Sequence, residues 1–378
     1  MNQNRSQINT KVLVLLLGGI FFAVLLGFYM KTNRFYSKIY TGGGLFGLHK
    51  QEPKTTYNIL LMGYGGGRHE GTYLTDSMMI AHVDTLTKKI LLISLPRDIW
   101  VPVPTRNKKE DFHAKVNSVY QMGLSPRNYP SIEPKYQSVQ GAAELLKTVL
   151  KKVTGLTIDN YIAVDFAGFV KAVDLIGGVS VTVDKSFDDY KYPIDGSEND
   201  PCGLTGEELA KAEKEATKEP ELLFPCRYEH LHFSAGKQDM NGESGLKYVR
   251  SRQSAEDGGD FSRARRQQLF LEAVRQKVLN IGIVTKVSPL MDELENNIRT
   301  DISPDLTKQF VSEADNAGEY TLSHLVLSTN NYLVESYSSD RQYILIPKLG
   351  EDRFMNVRAG ISESILGIFP TPKKLKSN

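Results

Sequence analysis

The sequence has almost no net charge. Its 378 residues include 46 lysines and arginines against 44 aspartates and glutamates, which gives a formal net charge of +2. This balance is too even to indicate nucleic-acid binding through bulk attraction, so only local groups of charges are informative. The apolar content of 40% is ordinary for a globular protein, and the length suits one large domain or two modest ones.

Cysteine is equally scarce. The only two, Cys202 and Cys226, both fall in one acidic and irregular segment, residues 187–229. A disulfide that closes this segment is expected outside the cytoplasm, whereas two unpaired thiols carry no such meaning. We predict the disulfide, within a surface excursion that contains a short polar helix.

Two nucleotide-binding signatures are missing. The glycine-rich stretch at residues 63–76, GYGGGRHEGTYLTD, lacks the Lys-Ser/Thr ending of a P-loop and the spacing of a dinucleotide fingerprint. A glycine-rich loop that leaves a strand can still bring backbone N–H groups to a phosphate, but this signal is weak on its own. The short tail before Val12 contains no DNA-binding motif.

One long hydrophobic run is present. Residues 12–30, VLVLLLGGIFFAVLLGFYM, are uncharged and mostly apolar, and roughly 20 such residues cross a bilayer. A cleaved signal peptide is the alternative, but its apolar region is usually only ~7–15 residues and no small-x-small cleavage site follows before Lys31. We predict a single-pass anchor in the cell membrane, preceded by a short cytoplasmic tail at 1–11. Basic residues flank both ends of the run and leave its orientation open, whereas the predicted disulfide favours an extracytoplasmic bulk.

The remaining sequence alternates β-rich and helical patterns. We predict strands at 58–63, 77–84, 88–96, 158–165, 179–184 and 342–347, with a hairpin between the second and third. We predict helices at 113–123, 139–156, 166–178 and 261–280. This alternation indicates an α/β domain at 55–350 whose helices cover a sheet, between a linker at 31–54 and a C-terminal tail at 351–378.

Five arginines lie within seventeen residues of the stretch 247–268, KYVRSRQSAEDGGDFSRARRQQ. They are Arg250, Arg252, Arg263, Arg265 and Arg266. A guanidinium offers paired N–H donors that match the oxygens of a phosphate, so the group indicates an anionic, phosphorylated ligand. A solvated basic surface is the alternative.

Helical spacing sorts these arginines. If the chain is helical from Phe261, then Arg263, Arg266 and Gln267 share one face and Arg265 points away. The Gly-Gly turn before this helix would direct the anion-binding end of the helix toward a phosphate. Arg250 and Arg252, in contrast, can point the same way only if the chain there is extended or leaving a helix.

A second candidate lies at the end of the third predicted strand. Pro96, Arg97 and Asp98 emerge there together, and strand ends commonly carry functional groups in α/β sheets. An ordinary surface pair of Arg97 and Asp98 is the alternative.

Taken together, these segments resemble the LytR-CpsA-Psr family of bacterial cell-envelope proteins. The matching stretches come in the family's order: LTDSMMIAHVDTLTKKILLISLPRDIWV, AKVNSVYQMG, VDFAGFVKAVDLIGGVSVTV, LHFSAGKQDMNGESGLKYVRSR and GDFSRARRQQ. They span about residues 56–280, with a plausible continuation to about 350. The resemblance implies a central mixed β-sheet flanked by helices. It also implies a membrane-anchored transferase that moves a glycopolymer from a polyprenyl-pyrophosphate carrier to peptidoglycan during cell wall assembly.

The resemblance further implies a set of site residues. The expected catalytic residues are Asp76, Arg97, Arg250 and Arg263. The expected substrate-binding residues are Arg252, Arg266, Gln267 and Lys115, the last in a Lys-hydrophobic-Asn motif with Asn117. On this view the two arginines at 250 and 252 face the group on the helix across a pyrophosphate.

A divalent metal belongs to the same expectation. Mg²⁺ is usually held by one or two carboxylates together with phosphate oxygens, so Asp76 is the expected ligand for Mg²⁺ or Mn²⁺. Family members commonly carry a second aspartate two residues after the first-strand glycine, where this sequence has Gly65. His69 or Glu70 could substitute for it, or Asp76 and the substrate could hold the metal alone. The departure affects the expected metal affinity more than the reaction class.

Three functions follow from these expectations. In the first, a peptidoglycan hydroxyl attacks the glycan-linked phosphorus and polyprenyl phosphate leaves. The sequence does not identify the general base for this step, for which Asp98 is the residue we name. The second is a polyprenyl-pyrophosphate phosphatase that uses the same pocket. The third is a non-catalytic envelope protein that binds or senses lipid-linked precursors.

Phe270 and Val274 could line a slot for the polyprenyl chain, although core packing is the expected role of each.

Overall fold

The computed structural model describes residues 30–42, 54–67, 71–107, 112–215, 220–281, 287–312 and 318–368. Its strands are β1 (Thr56–Tyr64), β2 (Ser77–Asp84), β3 (Lys89–Ser94), β4 (Trp100–Pro102), β5 (His113–Lys115), β6 (Asn160–Asp165), β7 (Val179–Val183), β8 (Phe187–Pro193), β9 (Tyr228–Phe233), β10 (Gly236–Met240), β11 (Ile298–Thr300), β12 (Thr321–Val326), β13 (Leu333–Tyr337) and β14 (Tyr343–Pro347). Its helices are α1 (residues 30–39), α2 (Val119–Leu124), α3 (Val139–Thr154), α4 (Phe166–Leu175), α5 (Gly206–Glu215), α6 (Pro220–Leu223), α7 (Gly242–Arg250), α8 (Gly259–Ile281), α9 (Val287–Leu294), α10 (Pro304–Ser312) and α11 (Met355–Ile365).

Six strands form the central sheet in the order β11-β6-β1-β2-β3-β12. β1 pairs in parallel with β6, and β3 in parallel with β12, whereas the other neighbours are antiparallel. The sheet is therefore mixed, as the resemblance implied. β2 and β3 form the predicted hairpin.

Helices cover both faces of this sheet. Leu145 and Val149 of α3 are fully buried on one face, in a cluster that includes Leu60 and Ile80 of the sheet. On the other face, Leu271 of α8 packs against residues that include Met79. Side chains of a strand point alternately to its two faces, so each strand contributes to both apolar layers. The predicted α/β architecture with flanking helices is confirmed.

A second apolar cluster lies beside the central sheet. It joins α4, α7 and the middle of α8 to the pairs β7–β10 and β8–β9. Phe270 is buried in this cluster and Val274 packs against it. Both side chains therefore serve core packing, as expected, and do not line an open slot.

The predicted excursion at 187–229 contains β8, the polar helix α5 and the short helix α6. Cys202 and Cys226 form the predicted disulfide, with Cα atoms 5.6 Å apart. The segment is more regular than the sequence indicated, because β8 pairs with β9 over most of its length.

The linker prediction for residues 31–54 is wrong for its first part. Tyr36 and Ile39 of α1 are buried, and Thr41 N donates to Thr300 O over 2.8 Å. Two apolar side chains at helical spacing thus attach this segment to the edge of the central sheet next to β11. Residues 43–53 lie outside the described part of the chain.

The tail prediction for residues 351–378 needs a similar correction. Helix α11 buries Val357 and Ile361 completely, in the same cluster as α3. The domain therefore extends at least through Ile365, and residues 369–378 are not among those described.

The helix predicted at 113–123 is also wrong at its start. His113–Lys115 form β5 instead, because they pair with β4, and α2 begins only at Val119. Tertiary pairing thus overrides the helical spacing of the apolar residues.

The predicted membrane anchor lies outside the described residues, apart from Met30 at its end. Among the helices that are described, none combines the length and the apolar character that crossing a membrane requires.

Candidate active site

Asp76 and Arg97 meet where the β2–β3 hairpin opens. Asp76 directly precedes β2 and Arg97 follows β3, and in an antiparallel hairpin the start of one strand adjoins the end of the other. Leu95 N accordingly donates to Met78 O over 3.0 Å. Arg97 Nη1 then donates to Asp76 Oδ1 over 3.0 Å. Two residues expected to be catalytic are therefore in direct contact.

The end of β5 and the turn that follows it add an ammonium group and an amide. Asn117 Nδ2 donates to Asp76 Oδ1 over 3.2 Å, and Asn117 O accepts from Thr75 N over 3.0 Å. Lys115 Nζ lies 2.7 Å from Asp98 Oδ1. Lys115 thus reaches the site through Asp98, whereas Asn117 reaches it through Asp76.

Asp98 is buried between two cations. Its other oxygen, Oδ2, lies 3.5 Å from Arg97 Nε, opposite the contact with Lys115. A carboxylate whose two oxygens each face a cation is suited to holding those cations in place. We therefore assign Asp98 to positioning and not to general base catalysis.

Helix α8 brings three further side chains to the same place. Asp260, Arg263 and Gln267 follow one another at spacings of three and four, which puts them on one face of the helix. Arg263 Nη2 donates to the backbone oxygen of Asp76 over 3.3 Å. Gln267 Oε1 accepts from Ser77 Oγ over 3.0 Å. The helix is thereby joined to the start of β2.

Asp260 links the arginines. Its Oδ1 lies 3.0 Å from Arg263 Nη2 and 3.9 Å from Arg252 Nη1, and its Oδ2 lies 3.9 Å from Arg97 Nε. None of these three ion pairs has the geometry of a hydrogen bond. Asp260 Oδ1 and Arg97 Nε are therefore buried without a hydrogen-bond partner within the described residues. Buried polar atoms normally have partners, so the arrangement leaves hydrogen-bonding capacity unused at this point.

We call this group the Asp76 cluster. Its members are Asp76, Arg97, Asp98, Lys115, Asn117, Arg252, Asp260, Arg263 and Gln267. Four of the side chains are cationic and three are carboxylates, so one positive charge is in excess. The Asp76 cluster therefore has one positive charge that its own carboxylates do not balance, and this charge is available to an anionic ligand.

Burial and charge act differently on two of its arginines. Burial lowers the pKa of Arg263, and attraction to Asp260 only partly opposes this effect. Burial also acts to lower the pKa of Arg97, but the carboxylates of Asp76 and Asp260 outweigh it, so that pKa is raised. Both side chains remain guanidinium ions at neutral pH.

The Asp76 cluster encloses very little space. The cavity between Asp76, Arg97, Asp260, Arg263 and Gln267 measures about 10 Å³. That volume holds about one water molecule. A pyrophosphate group can therefore enter only if side chains of the cluster move apart.

Arg250 lies in a different group. Helix α7 ends at Arg250, and Ser251 after it is extended, so the chain leaves a helix here as the sequence required. Arg250 Nη1 and Nη2 each lie 3.2 Å from the carboxylate of Asp195, and Nη1 donates to Tyr192 Oη over 3.1 Å. The guanidinium also stacks over the ring of Phe166, 4.2 Å from its centre.

The expected pairing of Arg250 with Arg252 is therefore wrong. Arg252 contacts Asp260 in the Asp76 cluster, whereas Arg250 lines an open cleft of about 300 Å³ together with Tyr192, Asp195 and Lys247. Leaving the helix at Ser251 turns the chain, and the two side chains diverge.

The expected substrate-binding role of Arg266 is also not supported. The side chain is 2% exposed and donates to the backbone oxygens of Tyr248, Ser251 and Asp257. Its guanidinium therefore holds the turn between α7 and α8. Arg265, as expected, points away and pairs with Asp184 at the surface.

Several residues that shape the site were missed from the sequence. Asp189 is buried, and its Oδ2 accepts from Ser251 Oγ (2.7 Å), Arg252 N (3.1 Å) and Gln253 N (3.1 Å). Asp195 lies 55 positions before its partner Arg250. Both belong to the acidic excursion, where one carboxylate cannot be told from another without the fold. Asp260, in contrast, belongs to the stretch GDFSRARRQQ that carries the resemblance, and the sequence identified it together with Arg263.

The carboxylates of the Asp76 cluster suit a metal only in part. Asp76 is half-exposed, and its Oδ1 accepts from Arg97 and Asn117, while Asp98 and Asp260 face cations. Asp76 is thus the one carboxylate of the cluster that fits a Mg²⁺ ion bound mainly by phosphate oxygens. The proposed substitutes His69 and Glu70 lie outside the described residues.

Comparisons with known proteins identify similar sequences and a similar fold. The sequence model of the LytR_cpsA_psr family matches residues 30–347. Biofilm regulatory protein A of Streptococcus mutans is 29% identical over 283 residues, which cover 73% of this chain and 56% of that protein. An Oceanobacillus iheyensis protein named polyisoprenyl-teichoic acid–peptidoglycan teichoic acid transferase TagU is 23% identical over 252 residues, 67% of this chain and 61% of that protein. The chain thus spans less than two thirds of the length of these curated relatives.

A solved structure extends the comparison to the fold. The crystal structure of TagV from B. subtilis superposes with a TM-score of 0.54 and 20% identity, covering 84% of this chain and 100% of that one. At this level of identity the likeness establishes a shared fold.

Proposed function

The chain belongs to the LytR-CpsA-Psr family, and from this premise we propose that it is a membrane-anchored phosphotransferase. It would transfer a glycopolymer from a polyprenyl-pyrophosphate carrier to peptidoglycan in cell wall assembly, with its bulk outside the cytoplasm. The observation that carries the proposal is the contact of Arg97 and Arg263 with Asp76 in a partly buried cluster with excess positive charge. The printed name of the TagU relative supports the same substrate class.

The chemistry requires the charge of a pyrophosphate to be held while one of its bonds breaks. A hydroxyl of the peptidoglycan sugar attacks the glycan-linked phosphorus, the bond from that phosphorus to the bridging oxygen breaks, and polyprenyl phosphate leaves. Arg97, Arg252 and Arg263 are the donors that would stabilise the departing negative charge. Asn117 and Gln267 hold the backbone and side chains around Asp76 in register for this step.

A divalent ion would bind at Asp76 together with phosphate oxygens of the substrate. Mg²⁺ or Mn²⁺ in that position would neutralise part of the pyrophosphate charge. Arg97 then has a second role, because its hydrogen bond to Oδ1 orients the carboxylate whose other oxygen is available to the ion.

Arg250 would act from the neighbouring cleft. Its guanidinium is held by the Asp195 carboxylate in the two-oxygen manner in which it would hold a phosphate. A phosphate group of the substrate would displace Asp195 from Arg250. The stacked ring of Phe166 keeps the guanidinium in place during this exchange.

The deciding experiment is in-vitro transfer from a synthetic lipid-pyrophosphate glycan to peptidoglycan fragments in the presence of Mg²⁺. Arg263→Ala should lower transfer by roughly 10²–10³, the scale seen when one transition-state donor is lost. Arg265→Ala, which removes a surface arginine two residues along the same helix, is the matched control and should stay near wild type. Equal activity of the two variants would refute the role given to the Asp76 cluster.

The same assay separates a hydrolase from a transferase. The small cavity beside Asp76 has room for about one water molecule, and water in place of the sugar hydroxyl would make the protein a polyprenyl-pyrophosphate phosphatase. Mass analysis of the products, with and without acceptor glycan, distinguishes the two. Release of free glycan phosphate at the same rate in both conditions would favour the phosphatase.

A further inference from the structure

Two histidines and an aspartate converge on the outer face of the β8–β9 pair. His230 and His232 are two residues apart on β9, so their side chains point to the same face. Asp188 lies directly opposite His232 in the register of β8. This face is opposite the one that carries Asp189, and the proposed reaction does not use it.

The two imidazoles are directed at a single carboxylate oxygen. His230 Nε2 lies 2.7 Å and His232 Nδ1 lies 2.8 Å from Asp188 Oδ1. Two imidazoles of the kind that binds transition metals therefore meet at one carboxylate oxygen.

Both rings are oriented by other contacts. His232 Nε2 lies 3.1 Å from Ser234 Oγ, so the second nitrogen of this ring has its own partner. The ring of His230 stacks on Tyr190 with centres 4.1 Å apart and planes 6° from parallel. Metal-binding histidines are commonly held in this way, with the second ring nitrogen hydrogen-bonded to an outer group. A merely solvated pair of surface histidines has no need of such support.

We propose that His230, His232 and Asp188 form a binding site for a transition-metal ion of the Zn²⁺ type. Zinc bonds measure about 2.0–2.2 Å to imidazole nitrogen and carboxylate oxygen, so tetrahedral ligand atoms lie about 3.4 Å apart. Each distance from Asp188 Oδ1 to a histidine nitrogen must therefore lengthen by about 0.6 Å when an ion enters between them. The nitrogens of His230 and His232 must also approach each other, from more than 4.8 Å to about 3.4 Å, which requires both imidazole rings to rotate. All three side chains are partly exposed, which leaves room for this movement and for a water molecule as fourth ligand.

The chemistry of the donors excludes the ion proposed for the reaction. Imidazole suits Zn²⁺, Cu²⁺ or Ni²⁺, whereas Mg²⁺ takes oxygen ligands almost exclusively. Zn²⁺ at this position would join β8 to β9 on the face opposite Asp189, the residue that holds Arg252 and Gln253. The proposal is independent of the transferase proposal, because it concerns other residues and another ion.

Another group could give a false signal. Potential ligand atoms of Asp200, Cys202 and Cys226 lie within 4.8 Å of one another. The two sulfurs are joined in the disulfide, so they are not thiolates and do not bind Zn²⁺ while the bond is intact. Binding must therefore be measured without reducing agent.

The test is a calorimetric titration of the purified, oxidised full-length chain with ZnCl₂ after removal of bound metals. We expect one equivalent of Zn²⁺ to bind, and His230→Ala and His232→Ala each to weaken the binding at least about tenfold. His324→Ala is the matched control, since His324 also faces a carboxylate, Glu272, at 3.8 Å. It should leave the affinity unchanged, and excess Mg²⁺ should not compete.

Absorption spectroscopy at the zinc edge provides a readout that does not depend on stoichiometry. Wild type should show imidazole scattering with nitrogen at about 2.0–2.1 Å, reduced in either histidine variant. Far-UV circular dichroism checks that the variants are folded. Wild-type zinc affinity in both histidine variants, or no binding by the folded wild type, would overturn the proposal.

Discussion

Arg250 and Arg252 lie two residues apart in the chain, yet their guanidinium groups face different carboxylates. Arg250 donates to both carboxylate oxygens of Asp195, whereas Arg252 is directed at Asp260 in the Asp76 cluster. The divergence begins at Ser251, the first residue after α7. One short motif thereby contributes to two neighbouring groups of charged side chains, and the spacing between them is set by the turn.

Replacement of Asp195 should strengthen ligand binding. Asp195→Asn removes the negative charge that competes with a phosphate for Arg250, and an exposed ion pair of this kind contributes about 0.2–1 kcal/mol, so the Kd for a polyprenyl pyrophosphate should fall about 1.5- to 5-fold. Titration calorimetry in detergent gives the measurement. Glu207→Gln, an exposed charge in the same excursion, should change nothing.

A double variant makes this prediction sharper. In an Arg250→Ala background, Asp195→Asn should no longer improve binding, because the guanidinium for which Asp195 and the phosphate compete is absent. If Asp195→Asn weakens binding in the wild-type background, Asp195 is itself a contact for the ligand.

Loss of Asp189 should destabilise the turn between α7 and α8. Asp189→Ala leaves Ser251 Oγ, Arg252 N and Gln253 N without their acceptor in a buried position, which we expect to lower the free energy of unfolding by about 2–4 kcal/mol. Urea denaturation measures this change. Asp188→Ala, assayed without metal, alters the adjacent residue on the exposed face and should cost far less. Similar losses in both variants would show that the three hydrogen bonds are unimportant.

Arg266 should be irreplaceable by lysine. Its planar group bonds three backbone oxygens at once, and a lysine cannot reproduce that fork, so Arg266→Lys should lower the free energy of unfolding by roughly 2–4 kcal/mol. Arg265→Lys on the neighbouring exposed position should stay within about 0.5 kcal/mol. Thermal and urea unfolding of the two variants give the comparison. A stable Arg266→Lys protein with impaired ligand binding would instead restore the substrate-binding role that the sequence suggested.

Acidification should destabilise the domain through His82. Burial lowers the pKa of His82 below its ordinary value of 6.5, against the opposing charges of Asp84 and Asp159. Between the lowered native pKa and 6.5 the unfolded chain binds a proton that the native chain does not. The free energy of unfolding should therefore fall as the pH drops through this window, by at most about 1.4 kcal/mol per pH unit for one proton.

His82→Gln isolates this contribution. The pKa of His324 is also lowered by burial, so wild type retains two sources of the same sign. Urea unfolding between pH 5.5 and 7.5 should show a shallower pH dependence in the variant. Parallel curves for variant and wild type would contradict the assignment to His82.

Periodicity was sufficient for the elements that dominate the core. Short β-rich apolar runs located β1, β2 and β3, and the apolar stripe of α3 located that helix. It failed at residues 113–123, because pairing with β4 is a contact between distant segments that local spacing does not encode. It also missed the packing of α1 and α11, whose partners belong to the sheet edge and to α3.

In the candidate site, too, local contacts follow from the sequence pattern, whereas contacts between distant segments do not. Asp76 and Arg97 adjoin because the predicted hairpin of β2 and β3 brings its two open ends together. Arg263, Arg266 and Gln267 were predicted on one helical face, but at about 100° per residue Arg266 and Gln267 still diverge by a quarter turn. That angle directs Gln267 to Ser77 and Arg266 to the backbone of the preceding turn. Only the position of the neighbouring turn decides between ligand and structural roles.

The tight packing around Asp76 has a consequence for the time course of binding. A cavity of about 10 Å³ must open before a pyrophosphate fits, so encounter and accommodation are separate events. In stopped-flow experiments the observed rate constant should then level off at high ligand concentration, at the rate with which Arg97 and Arg263 move away from Asp76. Ligand release would require the same opening, and the dwell time of the lipid carrier on the protein would be set by the protein's own side chains.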